Sequence, residues 1–306
     1  SHRSRATKSE PAMSPKGVTS PHRARKRFGQ NFLVDETIIG QIIAAIGARP
    51  DHHLIEIGPG TAALTQHLLE QCPSLQAVEL DRDLIAQLRS RFANYSDFVV
   101  HSGDALKTDY RQFYHGQPLR LVGNLPYNIS TPLLFHLLAQ RDVIADMHFM
   151  LQREVVDRLS ATPGSKNYGR LSVMVQYHCR VLPLIPVPPS AFQPAPRVQS
   201  AFVRLVPHAT PPALANSETR LAQVVAECFQ HRRKTLRNGL RALVPDIAAL
   251  GRRFDLGRRP EQLSVVDFVA LSNAIGAPEP LAANAAATPA ATLKNDAELP
   301  GADAHE

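Results

Sequence analysis

No stretch of the 306-residue chain is apolar over anything near the roughly 20 residues that a membrane-crossing helix needs, so no membrane association is expected. Cysteine is scarce as well: Cys72, Cys179 and Cys228 lie far apart and form no C-x-x-C pair. That excludes a cysteine-ligated zinc and a disulfide framework, so no metal is expected, and it fits a reducing compartment. No apolar segment follows the first charges, which argues against secretion; the Arg-rich start also lacks the amphipathic pattern of an organelle transit peptide. A further lack narrows the ligand. The turn Gly58-Pro59-Gly60 is not completed to the dinucleotide fingerprint G-x-G-x-x-G, because Ala63 stands at the third glycine position. A pyrophosphate ligand is therefore disfavoured.

What is abundant is positive charge, but unevenly. The formal net charge is +7, and residues 1–27 hold eight Lys/Arg against one Glu. Residues 1–26 read as a disordered basic arm and 278–306, rich in Ala and Pro, as a disordered tail. Between them the excess concentrates at 231–259, with nine Lys/Arg against Asp246 and Asp255. Arg232, Arg233, Lys234, Arg237 and Arg241 are the candidates for RNA phosphate contacts. Arg233, Arg237 and Arg241, four apart, would form one ridge on a helix.

The chemistry-bearing stretch is Asn124-Leu125-Pro126-Tyr127, where a strand runs into a stiff turn. The Asn124 side-chain oxygen and a backbone carbonyl beside Leu125 and Pro126 offer two acceptors to the two hydrogens of a primary amine on an aromatic ring. Accepting both draws that nitrogen toward a tetrahedral shape and frees its lone pair. Tyr127 supplies a flat surface for stacking a base.

Upstream, Asp35 is the expected N-cap of a helix over 36–46. The run 53–57 into Gly58 and Gly60 is the first βα unit of a doubly wound sheet, where glycine lets backbone approach a ligand. Glu79 ends the second strand 21 positions after Gly58, the spacing at which an acidic residue reaches a ribose. Asp104 ends the third strand, where an adenine amine could donate to it. Asn31, in a loop ahead of the first helix, belongs to a lid over the ligand. Glycines without a phosphate-binding lysine suit S-adenosylmethionine better than NAD or ATP.

Gly29-Gln30-Asn31-Phe32-Leu33, Glu56-Ile57-Gly58-Pro59-Gly60, Val78-Glu79-Leu80-Asp81, Gly103-Asp104-Ala105, Asn124-Leu125-Pro126-Tyr127, Phe192-Gln193-Pro194 and Arg232-Arg233-Lys234-Thr235-Leu236-Arg237 occur in order. Together they resemble the ribosomal RNA adenine dimethyltransferases, most closely the small-subunit type, over roughly 27–277. The resemblance implies that Asn31, Leu33, Gly58, Glu79, Asp104 and Asn124 contact S-adenosylmethionine, and that Tyr127 and Phe192 sandwich the target base. It also implies a helix over 171–178, a region whose own pattern does not decide the matter. Ala62 departs from the family, which has a glycine there; a narrower cofactor loop is the expected effect.

The expected fold is thus an α/β, doubly wound, Rossmann-like class I methyltransferase sheet over 27–207, with a small all-helical RNA-binding domain over 213–277. The expected activity is dimethylation of two adjacent adenosines at N6 in small-subunit ribosomal RNA. The substrate would be an immature subunit in the cytoplasm and the enzyme a monomer. The nearest rival is the large-subunit methyltransferase that confers macrolide resistance; the basic helical segment and Phe192-Gln193-Pro194 weigh against it. A non-catalytic RNA-binding assembly or transcription factor on the same fold is the rival from another class.

Overall fold

The computed structural model describes residues 30–276; the basic arm, the tail and Arg27-Phe28-Gly29 lie outside the described residues. Among the described residues, nine strands and ten α-helices follow in chain order. The first part runs β1 (Phe32–Leu33), α1 (Glu36–Ile46), β2 (His53–Ile57), α2 (Thr65–Gln71), β3 (Gln76–Glu79), α3 (Arg82–Arg91), β4 (Val99–Ser102) and β5 (Leu119–Asn124). It continues with α4 (Ser130–Leu138), β6 (Ile144–Gln152), α5 (Arg153–Leu159), α6 (Arg170–His178), β7 (Cys179–Val187), β8 (Phe192–Gln193) and β9 (Ser200–Pro207). The last helices are α7 (Glu218–Gln230), α8 (Leu236–Leu240), α9 (Ile247–Gly251) and α10 (Val265–Ile275).

The local reasons are legible. Asp35 caps α1 by accepting the N–H groups of Thr37 and Ile38, and Gly47 ends it in the left-handed region. α6 forms over the stretch whose pattern alone was undecided. The sheet order is β4-β3-β2-β5-β6-β9-β7. Strands β4, β3, β2, β5 and β6 run parallel, while β9 is antiparallel to both β6 and β7. Strands β7 and β9 close the sheet as a terminal antiparallel hairpin.

Alternation along the strands divides the core. Leu54, Val122, Met150 and Phe202 face α1, α2 and α3, whereas Ile55, Ile57, Leu121, Phe149 and Val203 face α4, α5 and α6. The result is a three-layer α/β/α sandwich of Rossmann type. The chain leaves β2 toward β3 and β4, then returns to lay β5 on the other side of β2. That reversal opens a crevice beyond the carboxyl ends of β2 and β5. Gly123 permits the close approach there, since a Cβ on it would lie 2.5 Å from the Ile57 carbonyl oxygen.

The helical segment after 217 has its own buried cluster, including Leu221, Val225, Leu240, Phe268 and Leu271. That cluster also takes in Tyr168, Val173, Met174 and Tyr177. Tyr168 donates its hydroxyl to the Leu263 carbonyl, and Gly164 donates its N–H to the Glu261 carbonyl. The helices therefore share a core with α6 and the loop before it.

The basic ridge is corrected. Helix α7 ends at Gln230, residues 231–234 turn, Thr235 is extended, and α8 begins only at Leu236. Arg233 thus precedes the helix and Arg241 caps its end, so the three arginines do not share a helical face. Leu236 and Leu240 are buried.

Candidate active site

The crevice is a cavity of about 270 Å³, walled by the ends of four strands and covered by residues 30–33. It brings together Asn31, Leu33, Gly58, Gly60, Glu79, Asp104, Asn124, Leu125, Pro126 and Tyr127. Gly58, Glu79, Asn124 and Leu125 are the last residue of a parallel strand or the first past it, and Gly60, Asp104, Pro126 and Tyr127 follow close behind, which is where a parallel sheet concentrates ligand-facing groups.

Gly58 and Gly60 both adopt positive φ, at 64° and 58°. A Cβ on Gly60 would lie 3.0 Å from the Phe32 ring, so the covering segment rests on bare backbone. Ala62 also has φ 70°, a strained value for a residue with a side chain. It is 2% exposed, packs in the core, and does not line the cavity. The expected narrowing of the loop is therefore corrected to backbone strain behind it.

Glu79 joins two walls. Its Oε1 accepts the Gly60 N–H at 3.1 Å, and its Oε2 accepts those of Leu80 at 2.7 Å and Asp81 at 3.1 Å. Burial raises its pKa, and these backbone donors oppose the rise. Asp104 lies on the wall beyond β4, with Oδ1 accepting the Leu106 N–H at 2.9 Å. On the fourth wall, the Asn124 Nδ2 donates to the Asn31 carbonyl at 2.9 Å. That bond ties the covering segment to β5 and fixes which way the amide faces. Tyr127 is half-buried, and its hydroxyl is hydrogen-bonded to Ser200.

Phe192 stands elsewhere. It is 4% exposed, sits in β8 opposite Leu33, packs among core side chains, and is not on the cavity wall. The β1–β8 pairing seats Phe192 in the core cluster while Tyr127 lines the cavity, so the two expected stacking residues do not share this wall. The basic residues lie outside the cavity: Arg232 donates to the Lys166 carbonyl at 2.7 Å, and Arg233, Lys234, Arg237 and Arg241 are exposed.

Two residues to which the sequence reading gives no role bear on the site. One is Ser200. The other is Glu56, 2% exposed on the cavity floor and accepting the Thr65 hydroxyl at 2.5 Å. A carboxylate inside the apolar run 53–57 is the signal that could have marked it. Burial, with the Glu79 charge nearby, pushes its pKa up to about 7. In the unfolded chain it ionises near 4.5, so folding is disfavoured progressively from that pH up to about 7 and by a constant amount above. The difference corresponds to on the order of 3 kcal/mol. Glu56→Gln is therefore expected to gain stability relative to the parent across pH 4.5–7 and to hold that gain at higher pH. Urea unfolding of both proteins across this range checks it; a gap that does not change with pH would sink the idea.

The charged side chains of the wall have one sign. Glu56, Glu79, Asp81 and Asp104 line the cavity, and none of its described lining residues is Lys or Arg. Such a wall favours a cationic nucleoside and repels phosphate. The ribosomal RNA adenine dimethylase family matches the chain over residues 21–275. The chain belongs to that family. The ribosomal RNA small subunit methyltransferase A of Chromohalobacter salexigens is 55% identical over 264 residues, covering 85% of this chain and 94% of the relative. The protein of the same description from Pseudomonas aeruginosa is 56% identical over 255 residues, covering 82% and 94%. Among solved structures, a dimethyladenosine transferase from Plasmodium falciparum matches with TM-score 0.71 and 27% identity over 80% of this chain and 98% of that one. The 23S rRNA methyltransferase ErmE, at 23% identity and TM-score 0.64, shares the fold. Among the described residues no helix is long and apolar enough to cross a membrane.

Proposed function

We propose that the protein transfers methyl groups from S-adenosylmethionine to N6 of two adjacent adenosines in small-subunit ribosomal RNA, acting on the immature subunit. The observation that carries this reading is the Asn124 amide, fixed by Asn31 at the rim of an anionic, glycine-turned cavity and next to Tyr127. S-adenosylmethionine bears a sulfonium and an ammonium against one carboxylate, and this net positive charge fits the wall. Gly58 and Gly60 let backbone approach it, Glu79 takes the ribose hydroxyls, Asp104 the adenine amine, and Asn31 and Leu33 close over it. Bound there, the cofactor supplies an electrophilic methyl that needs in-line positioning and no metal.

The chain's own groups prepare the nucleophile. Asn124 Oδ1 and a backbone carbonyl at Leu125-Pro126 accept the two N6 hydrogens, which frees the nitrogen lone pair. Tyr127 holds the extruded base by one face; extrusion costs a few kcal/mol, least for an unpaired adenosine. Once N6 is alkylated its proton is acidic and leaves to solvent, so no dedicated base is required.

The position of the basic segment supports an RNA partner. The C-terminal end of α6 meets the start of the helical part, through Tyr177 and Ala215, and its N-terminal end meets Arg232 through Lys166. Helices α6 and α7 are thus antiparallel. Since α6 leads down to the start of β7, α7 carries Arg232, Arg233 and Lys234 back toward the carboxyl ends of the strands, where the cavity opens. Among the described residues, Arg233, Lys234, Arg237 and Arg241 take part in no ion pair, which leaves them for phosphates.

The test is incubation with labelled S-adenosylmethionine and unmethylated small subunits, with large-subunit RNA alongside, followed by nucleoside identification. Dimethyladenosine in small-subunit RNA alone is expected. Label in large-subunit RNA, or no cofactor binding, would overturn the reading.

A further inference from the structure

We propose that Ser200 is a positioning residue for methyl transfer: its buried hydroxyl, bonded to the Tyr127 hydroxyl, fixes the plane on which the target adenine stacks. The inference rests on the adenine-N6 reading above. Ser200 is fully buried and opens β9, where it pairs with Gln152 of β6 on one side and Val187 of β7 on the other. Its main chain is therefore held by two ladders. The approach to it is held as well, because Arg153 donates its N–H to the Gln199 carbonyl at 2.9 Å and a guanidinium N–H to the Gln199 amide oxygen at 3.0 Å.

Tyr127 has the opposite character. It lies in a turn, is half-buried, and lines the cavity. Its backbone carbonyl accepts the Ser130 hydroxyl at 3.1 Å, at the entrance to α4, and its phenol is tied to Ser200. The residue is thus held at its main chain and at its phenol, and the hold on the phenol comes from a strand 73 residues away in sequence. Burial raises the phenol pKa above its ordinary value, so the hydroxyl is neutral and the bond intact at neutral and mildly alkaline pH. Without that tie the ring can turn about its side-chain torsions, and the stacked base turns with it. A nitrogen that must face both Asn124 and a methyl donor tolerates little such freedom.

A buried serine could also merely satisfy its own hydroxyl, and the test separates the two cases. Full-length Ser200→Ala, Tyr127→Phe and the double variant are compared for kcat and KM with unmethylated small subunits, cofactor Kd and Tm. Each single change is expected to lower kcat/KM for the RNA roughly 10-fold. Cofactor Kd should stay within about two-fold, and the double variant should be no worse than either single, because all three remove the same bond. Tyr127→Phe, which keeps the ring and alters a half-exposed residue, carries the test if Ser200→Ala folds poorly. Active wild type with undiminished single variants would overturn this inference alone. So would losses that multiply in the double variant, or a fall in RNA turnover matched by equal losses of Tm and cofactor affinity. Wild type that labels neither RNA would overturn the proposed function and this inference together.

Discussion

Asn124→Ala is expected to slow methyl transfer by about 10²–10³-fold while the protein stays folded and still binds its cofactor. Asn124 is the last residue of β5, and its Nδ2 is engaged by the Asn31 carbonyl. With the donor end of the amide so held, Oδ1 is the end that a substrate amine meets. The gain it provides grows in the transition state, as the nitrogen becomes tetrahedral and its hydrogens more acidic. Losing it should lower kcat rather than raise KM. The cofactor loses less, because Gly58, Gly60, Glu79 and Asp104 belong to other strands and are untouched. Releasing the Asn31 carbonyl should cost about 1 kcal/mol of stability. Single-turnover rates at saturating cofactor, beside a calorimetric Kd, measure both effects. Unchanged turnover would refute the role of Asn124, and equal loss of rate and affinity would make it a cofactor ligand only.

Much of this site could be read in the sequence, because the chemistry of a doubly wound sheet is local. Each strand end contributes a short run, and the spacing from Gly58 to Glu79 is set by one βα unit. The Asp35 cap, the turn at Gly58 and Gly60, and the Asn124 stretch all depend on neighbours within a few residues. What escaped reading depends on distant neighbours. Ser200 meets Tyr127 only because the β7–β9 hairpin folds back beside β6. Phe192 packs in the core where β8 pairs with β1, a small separate sheet joining segments far apart in sequence. The ridge of Arg233, Arg237 and Arg241 failed for a different reason. A four-residue spacing implies one face only if a helix runs through it, and the Leu236 N–H is taken instead by the Arg258 carbonyl. Tertiary pairing overrode a local periodicity.

The second large effect is expected at the opposite end of the sheet. Asp146→Ala should destabilise the fold by about 3–5 kcal/mol without altering the cavity. Asp146 lies near the start of β6 and is 3% exposed. It accepts from Arg120 at 3.0 and 3.1 Å and from Arg204 at 3.0 Å, joining β5, β6 and β9. Arg120 reaches onward to the Ile46 carbonyl at 2.7 Å, so the same cluster pins the end of α1. His148 beside it is buried, and desolvation pushes its pKa down to about 4, so it offers no charge at neutral pH. Without Asp146 the Arg120 guanidinium remains largely buried with no anion. The arginines hold the Asp146 pKa below its ordinary value despite the burial that opposes them. Its contribution is therefore present above about pH 4 and is lost as pH falls through the lowered value. Arg204→Met, which leaves the Arg120–Asp146 pair intact and removes the more exposed arm, should cost no more than about 1 kcal/mol. Urea unfolding at pH 7 would rank the two. Near-equal losses would contradict a network centred on Asp146. A loss of turnover in folded Asp146→Ala would mean that this end of the sheet communicates with the cavity, against the separation of fold stability from chemistry that the two variants are designed to display.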